Sequence, residues 1–251
     1  TAFALHDMNM IQAVELLQDH LAHSERKYTQ RRERLHRIRA SKVVLATGAF
    51  ERPLVFGNND LPGIMTASAL TTYLNRYGVA CGKNAVIMTS NDLAYQGAVD
   101  LASAGIAVTV VDTREQINPE WAVKANQLGV KVYAGFGISE AIGSSAVQGV
   151  QLVKLGSLKN VVTAKGPYVP CDVLASSGGL SPTVHLFCHD GGRPQWDESR
   201  LAFVVSANGR AKDGVFCVGA ITGVFALQEG LAKTHDTIAE LLTSLGKTIN
   251  S

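Results

Sequence analysis

The middle of the chain holds a strand–helix–strand succession that constrains the fold more than any other feature. Val86-Ile87-Met88-Thr89 reads as a buried strand, residues 93–104 read as a helix, and Val108-Thr109-Val110-Val111 reads as the next strand, ending on Asp112. That order is the βαβ frame of a parallel sheet. In its dinucleotide-binding form the first turn reads G-x-G-x-x-G, and an acid about 20 residues further on accepts from a ribose. Asp112, 21 residues beyond Asn91, stands at the acidic position. The turn instead reads Thr89-Ser90-Asn91-Asp92-Leu93-Ala94, without a glycine. A side chain at the second glycine position obstructs the approach of backbone to a pyrophosphate. The frame is expected to persist and the phosphate seat to be lost. Asp112 then has two readings: a ribose ligand, or a strand-end acid paired with Arg114. Asn91 and Asp92 suit the turn itself, because both side chains bond local backbone.

With 251 residues, 46% apolar and 18% charged, the chain can bury one large core or two smaller ones. A formal net charge of +2 gives no general argument for nucleic acid or a membrane surface. No apolar run reaches the roughly 18–20 residues that a membrane-spanning helix needs. The opening Thr1-Ala2-Phe3-Ala4-Leu5-His6-Asp7 lacks the basic and apolar regions of a secretory leader, and a first residue other than Met suggests an excerpt of a longer polypeptide. Cys81, Cys171, Cys188 and Cys217 are widely spaced with no C-x-x-C pair. Reduced structural thiols and a cytoplasmic location are therefore expected.

Along the chain, Met8, Ile11, Val14, Leu17 and Leu21 have the spacing of a helix over 8–22. Arg26, Lys27, Arg31, Arg32, Arg34, Arg37 and Arg39 follow, interleaved with Glu25 and Glu33. This run reads as a solvated connector leading into a strand over 35–40; a nucleic-acid patch and a face toward a partner subunit or anionic cofactor are the alternatives. A more buried strand over 42–48 comes next. The turn-rich stretch 53–63 precedes a helix over 66–77, closed by Gly78. A further helix starts at Pro119, which suits a first turn, and stops at Gly129. Strands are expected over 130–134, 150–155, 161–164, 173–175 and 214–220, and a helix over 224–244.

Three signals together resemble the two-dinucleotide-domain flavoproteins of the glutathione-reductase-like class. They are the strand ending Ala46-Thr47-Gly48 before Arg52-Pro53, the βαβ unit after it, and the return strand ending Gly219-Ala220 before a helix. The resemblance implies an α/β fold with a Rossmann-type unit, 81–165, inserted in a discontinuous FAD/NAD-binding-like domain, 1–80 and 166–251. It further implies that this first domain is incomplete, its phosphate-binding βαβ lying upstream of Thr1.

A narrower resemblance is carried by Asp7-Met8-Asn9, Leu35-His36-Arg37-Ile38-Arg39-Ala40 and Val44-Leu45-Ala46-Thr47-Gly48-Ala49-Phe50-Glu51-Arg52-Pro53-Leu54-Val55-Phe56. It continues in Asn58-Asn59-Asp60-Leu61-Pro62-Gly63, Tyr73-Leu74-Asn75-Arg76-Tyr77-Gly78-Val79, Asn91-Asp92-Leu93-Ala94-Tyr95 and Ser177-Gly178-Gly179, and ends in Pro182 and Val184-His185-Leu186-Phe187. In order and spacing these resemble the α subunits of heterotetrameric sarcosine oxidases, with opine and amine dehydrogenase subunits as the nearest competitors. In that family the α subunit carries NAD, the β subunit carries FAD and the amine-oxidising site, and FMN lies between them. The resemblance thus implies NAD as the local cofactor, FAD and FMN in the full complex, and other subunits, β above all, as partners. An excerpt with exposed apolar strands is also expected to self-associate.

Thr47 and Gly48 are candidate cofactor contacts, because a small residue at a strand exit lets backbone sit close to a ligand. Gly219 and Ala220 stand where the flavoprotein class places Gly-Asp; the missing acid suits a nicotinamide dinucleotide better than a flavin. No catalytic constellation is expected. His185 and His189 lie four apart beside Asp190 but have no third metal ligand in the pattern. Ser176-Ser177-Gly178-Gly179 lacks the G-x-S-x-G elbow of a hydrolase.

Overall fold

The computed structural model describes residues 1–156, 161–205 and 214–247. The chain divides into two compact units, 51–180 and the two flanking stretches 1–50 with 181–251.

Unit 51–180 is built on strand β1 (Ile64–Thr66), helix α1 (Ala67–Tyr77), β2 (Asn84–Thr89), α2 (Leu93–Ser103), β3 (Ala107–Asp112), α3 (Pro119–Gln127) and β4 (Lys131–Ala134). An antiparallel meander follows, β5 (Phe136–Gly143), β6 (Val147–Leu155) and β7 (Val162–Pro170), and the chain returns in β8 (Val173–Ser177). The parallel sheet runs β1-β8-β2-β3-β4. Its strands alternate between two buried faces. Ala85, Ile87, Val108, Val110, Val173 and Ala175 pack with Leu70, Tyr95 and Leu101 of the helices. Val86, Met88, Val111 and Leu174 pack with Ile138, Val150 and Leu152 of the meander. Burial on both sides explains why these strands read as continuous apolar runs.

Local chemistry sets the helix ends. The Asn118 side chain accepts from the Glu120 N–H at 3.0 Å, with Pro119 in the first turn of α3. Glu51 Oε2 accepts from the Ser68 N–H at 2.7 Å at the start of α1. The two ends of the unit meet: the Arg52 N–H donates to Gly179 O at 2.9 Å, and the Gly178 N–H donates to Arg52 O at 2.7 Å.

The boundaries of this unit differ from the expected 80/81 and 165/166. β1, supplied by residues before 81, pairs with β8, supplied by residues after 165, and β8 also pairs with β2. One sheet therefore gathers residues from both sides of each expected boundary. The strand β5 had no clear sequence signal, since Gly137, Ser139 and Glu140 break up its apolar content.

The other unit contains an antiparallel sheet of Ala2–His6, Met10–Leu16 and Glu33–Arg39, and a parallel pair of Val43–Leu45 with Val215–Cys217. It also holds the hairpin Gln195–Asp197 with Ala202–Val204, and the helices His185–His189 and Leu227–Ser244. Leu5, Val43, Leu45, Phe187, Val215 and Ile221 form its core. The helix expected over 8–22 is absent, and Met10–Leu16 is the central strand of the sheet instead. Met8 and Asn9 both take positive φ, 59° and 55°, turning the chain back on Ala2–His6. Tertiary pairing on both sides overrides the helical spacing; Asp7 and Asn9 were the turn signal. The strand expected over 214–220 is confined to Val215–Cys217 and gives way to a 3₁₀ turn, Gly219–Thr222.

Ile87 is 1% exposed between β-sheet neighbours and α2. Ile87→Ala is expected to lower unfolding free energy by about 3 kcal/mol, as methylene removal from a close-packed core does. Urea denaturation followed by circular dichroism measures it.

Candidate nucleotide-binding site

In the flanking unit the parallel pair aligns Val43 with Val215, Val44 with Phe216 and Leu45 with Cys217. The Val218 N–H extends the pairing to Leu45 O at 3.0 Å. Two residues beyond each aligned end come Thr47-Gly48 and Gly219-Ala220, so four of the five candidate residues lie at one carboxyl edge. Nucleotide-binding α/β sheets place their ligands at that edge. Gly48 and Gly219 have φ of 72° and 73°, and among the described residues a Cβ on either would meet no heavy atom within 4 Å. Both α-carbons border open space in a backbone conformation that strains any other residue. Thr47 Oγ1 donates to Thr183 O at 2.6 Å, and the Thr183 N–H donates to Gly48 O at 2.9 Å. This reciprocal tie fixes the first strand exit. Thr222 Oγ1 donates to Gly219 O at 2.8 Å, and the Gly223 N–H donates to Ala220 O at 3.0 Å, fixing the second.

Asp112, the fifth candidate, lies at the end of β3 in the other unit and is fully buried. Its Oδ1 accepts from the Arg114 N–H at 2.9 Å and from Arg114 Nε at 3.1 Å. Its Oδ2 accepts from Tyr95 Oη at 2.9 Å and from Arg114 Nη2 at 2.8 Å. A carboxylate has about four acceptor positions. All are engaged inside the protein, so the ribose role expected for Asp112 needs acceptor capacity that this arrangement does not leave. Burial, then the negative Asp112, raises the Tyr95 phenol well above its ordinary value. Burial opposes the charge on Arg114, but hydrogen bonds to Asp112 and Asp92 outweigh it and hold the guanidinium above its ordinary value.

Tyr95 was not singled out from sequence. Its place on the sheet-facing side of α2, a turn beyond the loop, was the available signal, and nothing in one sequence distinguishes it from a packing residue.

The two buried thiols are held in the protonated, unreactive form. Burial pushes Cys171 and Cys217 up to about 12, with Asp172 adding to the effect on Cys171. Among the described residues no three His, Cys, Asp or Glu side chains gather as a metal site.

Thioredoxin reductase of T. acidophilum shares this architecture with a TM-score of 0.67 at 16% identity, over 85% of this chain and 69% of that one. The fold is thus that of the FAD/NAD-dependent disulphide oxidoreductases, the glutathione-reductase-like class expected from the sequence. Residues 8–240 match the family model described as pyridine nucleotide-disulphide oxidoreductase, and the chain belongs to that family. The sarcosine oxidase subunit alpha of Rhizobium meliloti (strain 1021) is 37% identical over 243 residues, covering 96% of this chain and 23% of that protein. The sarcosine oxidase subunit alpha of Corynebacterium sp. (strain P-1) is 38% identical over 248 residues, covering 98% and 25%. The chain therefore spans about a quarter of the length of these curated relatives. No described helix is long and apolar enough to cross a membrane.

Tyr95→Phe removes one donor from a buried carboxylate and is expected to destabilise unit 51–180 by about 1–2 kcal/mol, measurable by urea unfolding. In native protein at pH 8, iodoacetamide should label exposed Cys188 and leave buried Cys171 and Cys217 unmodified until denaturant is added. Mass spectrometry of the labelled peptides checks it.

Proposed function

We propose that this chain is the nucleotide-binding portion of an α subunit of a multisubunit, flavin-dependent amine oxidoreductase of the sarcosine oxidase type. Its own contribution is part of an NAD seat, at the carboxyl edge of Val43–Leu45 and Val215–Cys217, with the remainder supplied by sequence upstream of Thr1. The observation that carries the reading is the placement of Gly48 and Gly219, both with open Cβ directions, just beyond the carboxyl ends of two paired parallel strands. Thr47 positions the first exit through Thr183, and the Gly219–Thr222 turn presents the second. Ala220 presents a methyl group where a carboxylate would bond the ribityl chain of a flavin, which favours a nicotinamide dinucleotide. NAD, when bound, supplies a ring that exchanges hydride. The amine-oxidising flavin, FAD, is assigned to a partner β subunit, and FMN to the boundary between the subunits. The substrate follows the relatives: sarcosine, demethylated to glycine.

The second reading is a structural subunit without any nucleotide. Ala220 favours it as well, since lost polar groups also mark a lapsed site.

Calorimetric titration of NAD into the full-length protein separates the two. Saturable binding is expected, and Gly48→Ala should weaken it about tenfold, equivalent to about 1.4 kcal/mol. The same substitution adds positive-φ strain of about 1 kcal/mol, so a thermal melt accompanies it. No heat of binding with the unaltered protein would leave only the structural reading.

A further inference from the structure

The turn from β2 into α2 is where the glycine-rich form of this fold directs backbone N–H groups at a pyrophosphate. Here three of those donors, from Ser90, Asn91 and Leu93, find acceptors within the chain. The Leu93 N–H, at the first residue of α2, donates to Asn91 Oδ1 at 2.9 Å. The Asn91 N–H donates to Thr89 Oγ1 at 3.2 Å, and the Ser90 N–H donates to Ser177 O at 3.2 Å. The Asn91 carboxamide is itself anchored, its Nδ2 donating to Ser177 O at 3.1 Å. Thr89 and Ser177 are fully buried.

The ribose end is filled in the same manner. Arg114 engages both oxygens of Asp112 and reaches Asp92 Oδ1 at 2.7 Å. Asp92 Oδ2 accepts from Asn118 Nδ2 at 3.2 Å. One guanidinium thus bridges the acid of the loop and the acid of the strand end.

We infer that Asn91 and Arg114 are internal ligands of unit 51–180, the carboxamide standing in for a phosphate and the guanidinium for a ribose diol. The unit accordingly takes no nicotinamide or adenine dinucleotide. Entry of one would strip Arg114 from Asp112 and leave a buried carboxylate without its cation, the costliest kind of loss in a protein interior. It would also bring a pyrophosphate beside the Asp92 carboxylate, at a helix start already supplied with negative charge. Restoring a glycine at 91 alone would free only one end. Closure is built from both ends, which distinguishes it from the simple loss of a loop.

Hydrogen exchange of the full-length protein, read by mass spectrometry with and without saturating NAD or NADP, tests the inference without any substitution. Exchange at 89–94 and 112–114 should be slow in the free protein and unchanged by either nucleotide. Slowing of about tenfold or more at 89–94 on adding nucleotide would overturn it. Arg114→Ala should lower Tm by roughly 5 °C and leave NAD stoichiometry as it was; loss of a bound NAD would overturn the inference. Protection at 45–48 and 218–223 reports the other seat, so the proposal made for Gly48 and Gly219 fails or survives separately in the same data set.

Discussion

The insertion of β8 between β1 and β2 is the pairing on which unit 51–180 depends. Val173 lies opposite Ala85 and Leu174 opposite Ile64, residues separated by most of the length of the unit. Until β8 arrives, β1 has no partner in the sheet and the cores on its two faces lack Val173, Leu174 and Ala175. Asp172, just ahead of β8, holds the start of β2 by accepting from the Lys83 and Asn84 N–H groups at 2.8–3.0 Å. A sheet closed by its last strand is a high-contact-order arrangement. Its folding waits on loop closure, although α2 and β3 have mostly local partners.

Much of this was legible in the sequence because burial on both sheet faces leaves an unmistakable apolar run. Val86 to Met88, Val108 to Val111 and Val173 to Ala175 read as strands for that reason. Gly78 and Pro119 marked helix ends by their own local chemistry. The failures share a physical cause. Met10–Leu16 is sandwiched between two antiparallel neighbours, and its apolar residues happen to fall at intervals that also suit a helix. The membership of 51–80 in the inserted unit depended on which sheet β1 joined, and no local signal encodes a partner more than a hundred residues away. At the site, the strand exits at Thr47-Gly48 and Gly219-Ala220 were visible as small residues after apolar runs. The engagement of Asp112 by Tyr95 was not, since it arises only when α2 packs on β3.

The two carboxyl edges illustrate opposite ways of treating polar backbone. At Thr47-Gly48 and Gly219-Ala220 the hydrogen bonds hold the strand exits while the glycines keep one side bare. At Thr89–Asp92 and Asp112 the named acceptors and donors are bonded to one another within the chain. Charge follows the same division: Asp92, Asp112 and Arg114 form a compact set in the second, while the four candidate residues of the first carry no charged side chain. A ligand at the first edge would therefore be held by shape and backbone dipoles, with selectivity resting on close approach rather than on ion pairing.

The meeting of Arg52 with Gly178 and Gly179 gives unit 51–180 the character of a cassette. Its entrance and exit are hydrogen-bonded neighbours, so a host polypeptide has only to span the width of two paired strands to accept or release the whole unit. Gain, loss or exchange of such a piece perturbs the surrounding chain no more than a hairpin of altered length would. Modularity of this kind lets the inserted unit change its surface and loops independently of the flanking stretches.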